Sequence, residues 1–189
     1  MAKDLQRRDE WTRTATEYVH EHGLIGLSLR PLAAALGTSD RMLLYHFETK
    51  DHLVAALLRE SNDRGVVGLQ ALTPSRDLRA AVHDLWAAVN SPDLEPCARL
   101  YVEAAALGLL GREPYASVVR EANGRWMQAL VNHLVRSGVA RPLAKRAATV
   151  IDAAFVGFQL DAPLDVSRAA RRRSVADLAE AVAALAGDG

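Results

Sequence analysis

The sequence predicts an all-α protein of about nine helices, and three observations carry that prediction. Apolar residues recur at helical spacing along the whole chain, no stretch sustains the strict alternation of a half-buried strand, and the breaks carry turn residues. Those breaks read EHGLIG, LTPS, NSPD, LGREP, RSGVARP and LDAPLD. Half of the 189 residues are hydrophobic but only 5% are aromatic, so the core must be built mainly from Ala, Leu and Val.

Each element has its own signal. Trp11, Ala15, Tyr18 and Val19 fall at i, i+4, i+7 and i+8, one stripe of a first helix that EHGLIG ends. Ser28 is placed to cap a second helix, Pro31 is tolerable only in a first turn, and Gly37 ends that helix after about two turns. Ser39 opens a short third helix to about residue 47, and Thr49 caps a fourth over residues 50–64. Further helices are expected near 76–90, 94–110, 115–137, 142–160 and 168–186.

Composition excludes several classes. Basic and acidic residues balance at 23 each, so the chain is not coated in one sign of charge, although a local patch is allowed. Cys97 has no second cysteine to pair with, which fits a reducing cytosol. The N-terminus is charged where a signal peptide needs an apolar run, and the longest stretch without Asp, Glu, Lys or Arg, Gly65 to Ser75, has eleven residues. A spanning helix needs about 20 apolar residues. No membrane segment and a cytoplasmic location are therefore expected. The six histidines show no metal-ligand spacing, so no metal and no cofactor are expected.

The second and third helices pose the informative question, because a helix, a Gly-containing break of about three residues and a second short helix make a helix-turn-helix. Leu32, Ala33 and Leu36 face inward on the first of the pair, Ala33 and Gly37 are small enough for close approach, and Leu43 and Phe47 hold the second helix down. Asp40, Arg41, Met42, Leu44, Tyr45 and His46 cannot all be buried as well. In this geometry the second helix enters the DNA major groove by its N-terminal end. A Gly-broken helix pair also occurs in all-α proteins that bind no DNA. Residues 1–52 hold seven basic and eight acidic side chains, so a basic footprint must come from placement of Arg30, Arg41 and Lys50 with Lys3, Arg7 or Arg8.

The stretch SLRPLAAALGTSDRMLLYHFETKDHLV, behind an amphipathic first helix, resembles the N-terminal domain of TetR-family transcriptional regulators. The resemblance lies in Ser28, Gly37, Thr38, Ser39, Tyr45-His46-Phe47 and Thr49-Lys50-Asp51. It covers about 50 residues; the remainder is similar only in being an Ala/Leu-rich helical domain. It implies a three-helix DNA-binding domain over residues 1–49 and a larger helical ligand-binding and dimerisation domain over 50–189. It further implies that Ser28, Arg30, Ser39, Asp40, Arg41 and Met42 lie at the DNA, that Tyr45 and His46 reach phosphates, and that Lys50 binds a phosphate at a helix N-terminus. Asp40, Met42 and Leu44 depart from the family pattern. Asp40 could accept from cytosine N4, and Met42 or Leu44 could meet a thymine methyl; the expectation is instead that Asp40 caps its helix and Leu44 packs inward.

The larger domain is expected to join two copies through residues 142–186. One apolar face there holds Ala147, Val150, Ile151, Ala154, Phe155 and Phe158; another holds Val175, Leu178, Ala179, Val182 and Leu185, with Ser174 and Asp177 in capping-box spacing. Effector contacts are expected from His83, Trp86, Tyr101, Glu103, Trp126, His133 and Phe155, polar anchors and large side chains set in apolar helices. The implied function is a sequence-specific transcriptional regulator, a repressor on a pseudo-palindromic double-stranded DNA operator, released by a small apolar or amphipathic ligand. The alternatives are a ligand-independent DNA-binding scaffold and, a distant third, a small all-α enzyme. Cys97 with His83 or His133 lacks the third group that would orient a nucleophile and base.

Overall fold

The computed structural model describes residues 2–164 and 166–186, without the side chains of Ala2, Lys3 and Leu5. The described residues form nine α-helices and no strand: α1 (Ala2–His22), α2 (Leu29–Ala35), α3 (Asp40–Phe47), α4 (Lys50–Ala71), α5 (Leu78–Val89), α6 (Glu95–Leu109), α7 (Tyr115–Arg136), α8 (Arg141–Leu160) and α9 (Arg168–Ala184). A single 3-10 turn, Ala162–Leu164, follows α8.

Two compact units divide these helices: Met1–Arg64 with Pro96–Asn123, and Gly65–Glu95 with Gly124–Gly189. In the first, Ala15 and Val19 of α1, Leu32 and Ala33 of α2, Leu43 and Phe47 of α3 and Leu53 and Leu57 of α4 close one core with Leu100, Ala104 and Val118. In the second, α5, α7, α8 and α9 bury Val82, Leu85, Leu130, Leu134, Ile151, Phe155, Val175 and Val182 together. Truncating a fully buried Leu or Phe in either core costs about 2–5 kcal/mol.

Local chemistry sets most boundaries. Ser39 caps α3, accepting the Met42 N–H at 3.2 Å, Thr49 Oγ1 accepts the His52 N–H at 3.1 Å, and Asp77 accepts the Ala80 N–H at 2.7 Å to start α5. Gly37 takes φ +65 just past α2, while the Thr38 N–H returns to the Ala33 carbonyl at 2.9 Å; a side chain there would be strained.

Two expectations fail locally. Helix α4 runs to Ala71 rather than stopping near residue 64, because an interior glycine costs a helix only about 1 kcal/mol. Gly68 has a packing reason: a Cβ there would stand 2.5 Å from Leu94 Cδ2. Ser174 starts no helix. Ser167 caps α9, accepting the Ala170 N–H at 3.1 Å, and the Ser174 hydroxyl donates mid-helix to the Ala170 carbonyl at 3.2 Å.

The apolar faces of α8 and α9 turn inward. Ala147, Ile151, Phe155, Val175, Ala179 and Val182 belong to the core of their own unit. A helix in a globular core spends its broadest apolar face there, which leaves the opposite side of α8 for any partner. That side carries Val150, Ala153 and Leu160, all exposed, and Gly157, whose Cβ position faces open space.

Candidate nucleic-acid interface

Helix α3 has two sides of opposite character. Leu43 and Phe47, one turn apart, are buried in the first core. At 100° per residue, Arg41 and Tyr45, also one turn apart, point the opposite way, and Tyr45 is 72% exposed. Met42 and Leu44 flank this ridge, each 37% exposed. Leu44 therefore does not pack inward as expected: Leu43 and Phe47 already occupy the inward side, and a neighbour in sequence is rotated away from them.

The polar residues at the start of α3 are committed to the helix itself. Besides the Ser39 cap, Asp40 Oδ1 accepts the Arg41 N–H at 2.8 Å, so Asp40 does serve the helix N-terminus. Ser28 stands at the N-cap position of α2, but its hydroxyl makes no cap bond. Ser28, Arg30, Ser39, Asp40, Arg41, Met42, Tyr45 and Lys50 are all exposed, and His46 is partly so.

Contacts with α1 and the preceding loop hold this end in place. The His46 ring meets Trp11 edge-on at 4.9 Å and Tyr45 at 5.1 Å. Arg8 lies over the Phe47 ring at 5.3 Å and Arg7 over Trp11 at 5.8 Å. The Lys3 side chain lies outside the described residues. Lys50, the first residue of α4, donates from Nζ to the Leu27 carbonyl, which ties α4 to the loop before α2 and leaves further ammonium protons to donate.

Residues 12–57 match the family of bacterial regulatory proteins, tetR family. Residues 12–57 are therefore a TetR-family domain. TetR-family proteins are transcriptional regulators rather than enzymes. Solved structures extend the likeness along the whole chain. A transcriptional regulator from Rhodococcus sp. Rha1 is 20% identical over 93% of this chain and 95% of its own, with a TM-score of 0.74. The multidrug binding protein EbrR complexed with proflavin is 23% identical over 95% and 99%, at 0.68. GusR of Salmonella enterica is 21% identical over 97% and 95%, at 0.65. At these identities the likeness is one of fold. No curated protein matches.

The turn after α1 is gripped by α6. Glu103 Oε2 accepts the N–H groups of Leu24 at 2.7 Å and Ile25 at 3.0 Å, and Arg99, one turn earlier, donates to the His20 carbonyl. Gly23 adopts φ +81, and a Cβ there would lie 3.2 Å from Glu103 Oε2. The carboxylate is thus satisfied by backbone donors, a cation sits at the C-terminal end of α1, and the turn needs glycine for two separate reasons. Glu103 looked like an isolated charge in an apolar helix. Arg99 was missed; its signal is the i, i+4 spacing to Glu103 on one helix face.

The residues expected to meet an effector are divided between the two units. Trp86, Trp126, His133 and Phe155 belong to the second unit, Tyr101 and Glu103 to the first, and His83 is exposed on α5. In the second unit Trp86 meets Phe155 at 5.0 Å and Phe158 at 5.5 Å, both edge-on, and Arg171 lies over Phe158 at 4.8 Å. Trp126 Nε1 donates to Asp152 Oδ1 at 2.9 Å. Burial pushes the Asp152 carboxyl above the ordinary carboxylate range, and the indole hydrogen bond pulls it part of the way back. His133 is fully buried, and Arg136 Nη2 lies 3.5 Å from its Nδ1. Burial first, then the Arg136 charge, hold this imidazole below its ordinary pKa, against the pull of Asp84. In the sequence Asp152 is a charged residue within an apolar helix, and only the fold brings it to Trp126.

Proposed function

We propose that the chain is a sequence-specific DNA-binding repressor that a small apolar or amphipathic ligand releases from its operator. The outer side of α3 carries this reading. An eight-residue helix held by Leu43 and Phe47 exposes Arg41, Met42, Leu44 and Tyr45 on its other side, behind a capped N-terminus, and a helix of this kind fits the major groove. Ser28, Arg30, Ser39, His46 and Lys50 flank it, suited to phosphates, which position the reader without identifying bases. Residues 1–49 are the reader and 50–189 the sensing and dimerising part. Because its partner is bacterial DNA, the protein works in the cytoplasm.

Two copies are needed for a pseudo-palindromic operator, and residues 142–186 are proposed to join them. The outward side of α8 supports this: Val150, Ala153, Gly157 and Leu160 make an apolar stripe with two small residues four apart, where a second α8 can approach closely.

The effector is proposed to lodge by Trp86, Trp126, His133 and Phe155, with Asp152 as its anchor. Aromatic walls suit a flat molecule, and a carboxyl whose charge is penalised by burial gains most from a cation. EbrR has been solved with proflavin and with imidazole, and proflavin is a usable first probe. α4 runs unbroken from Lys50 to Ala71 and is the natural lever between sensing and reading.

Selection of bound duplexes from a random pool, followed by gel shift with and without proflavin, tests the reading. A pseudo-palindrome bound in the nanomolar range, about a thousandfold or more tighter than random DNA, is expected. Equal affinity for every duplex would overturn it. Release is reciprocal, so operator must weaken the probe by the factor by which the probe weakens operator. A probe that binds free and operator-bound protein alike is no inducer.

A further inference from the structure

We propose that Met42 and Leu44 read thymine C5-methyl groups in the operator half-site, so that specificity rests on methyl contacts as well as on hydrogen bonds. The inference rests on the DNA-binding reading above and goes beyond it by assigning a chemistry to two side chains.

Met42 and Leu44 lie outside the core of their unit. The inward side of α3 is already filled by Leu43 and Phe47, at 0% and 1% exposure, while Met42 and Leu44 each leave 37% of their surface to water. They stand on the two flanks of the ridge formed by Arg41 and Tyr45, and Tyr45 adds further exposed apolar surface. An eight-residue helix thus holds three large apolar side chains on the side turned away from its core.

Two polar side chains at the start of α3 each already accept one backbone N–H of the helix. Ser39 Oγ accepts the Met42 N–H and Asp40 Oδ1 accepts the Arg41 N–H. Arg41 is left as the long polar side chain on the ridge.

In the major groove the four base pairs display donors, acceptors and one apolar group, the thymine C5-methyl. An apolar side chain set against a cytosine N4 amine or a guanine O6 would strip it of water and return no hydrogen bond. Met42 and Leu44 therefore favour thymine twice, by gaining contact with its methyl and by penalising a G·C edge. Met42, third in α3, lies in the turn that enters the groove first. Its unbranched side chain can follow the methyl.

Deoxyuridine, which pairs as thymine does and lacks only the methyl, provides the test. Full-length protein is used to select an operator from a random pool, and each thymine of one half-site is then replaced in turn by deoxyuridine. The wild type should lose about fourfold in affinity at one or two positions per half-site, the worth of one buried methyl, and nothing elsewhere. Met42→Ala and Leu44→Ala should bind the parent operator more weakly, keep the salt slope of the wild type, and each lose the deoxyuridine penalty at its own position. A bound operator indifferent to deoxyuridine everywhere would overturn this inference alone, as would a penalty that survives in both variants. Failure to select any operator would overturn the DNA-binding reading and this inference with it.

Discussion

Glu103 Oε2 accepts the backbone N–H of Leu24 at 2.7 Å, joining α6 to the turn that follows α1. The same oxygen accepts the Ile25 N–H at 3.0 Å, and Arg99 from the same helix donates to the His20 carbonyl. Two oppositely charged side chains, four residues apart, therefore hold both polarities of one turn. The turn leads directly into α2, so the placement of the helix-turn-helix depends on a helix some 80 positions further along the chain.

Glu103→Ala should cost about 1.5–3 kcal/mol, because it leaves two N–H groups that had a charged acceptor without one. Glu103→Gln, which keeps a neutral acceptor, should cost less. Gly23→Ala should act at the same place: its Cβ would crowd the carboxylate at 3.2 Å, in a backbone conformation that already disfavours it. Urea unfolding of the single and double variants checks the relation. The double variant should lose less than the sum of the two, and strict additivity would separate the two effects.

Lys50→Ala should weaken operator and random duplex alike and lower the salt slope by about one unit per subunit, the signature of a lost phosphate contact. Lys50→Arg should restore the slope. Fluorescence anisotropy over a salt series reads both, and a slope unchanged in Lys50→Ala would take this residue off the DNA.

Substitutions on the two sides of α8 should part company. Ala153→Arg, on the outward side, should give a helical monomer by sedimentation, with operator binding lost although no DNA contact is touched. Phe155→Ala should instead cost about 3–5 kcal/mol, because it opens a cavity beside Trp86. A dimer that survives both Ala153→Arg and Gly157→Trp would move the interface elsewhere.

His133 makes the second unit sensitive to acid. Its imidazole is held below the ordinary value of 6.5 in the folded chain, mainly by burial. As pH falls through 6.5 the unfolded chain takes up a proton that the folded chain refuses, so stability present above 6.5 is lost on the way to the folded value. The slope in that window has an upper limit of about 1.4 kcal/mol per pH unit for one group. His133→Gln should flatten the dependence below pH 6.5 relative to the wild type, and identical profiles would remove His133 as its source.

Much of this was legible in the residues. Ser39, Gly37 and Thr49 act within a few residues of themselves, so caps and breaks could be read directly, and the Leu43/Phe47 spacing gave the buried side of α3. Leu44 was misjudged because an apolar side chain was assumed to seek the core when two others had already filled it. The faces of α8 and α9 were assigned to a partner for a similar reason: periodicity shows that Phe155 and Val175 must be covered but not by what, and their own unit covers them. The grip of Arg99 and Glu103 on residues 20–25 spans nearly 80 positions and breaks no local rule, so only the fold could reveal it. Helix α4 overran its expected end because Gly68 answers to Leu94, a demand of packing rather than of propensity.

In the proposed complex two copies of α3 enter successive major grooves on one side of a duplex, about 34–36 Å apart. Inserting five base pairs between the half-sites of the selected operator tests it most directly, since this turns one half-site to the opposite side while leaving every base contact intact. Affinity, measured at fixed salt, should fall to that of a duplex carrying a single half-site. Undiminished affinity for the expanded operator would contradict it.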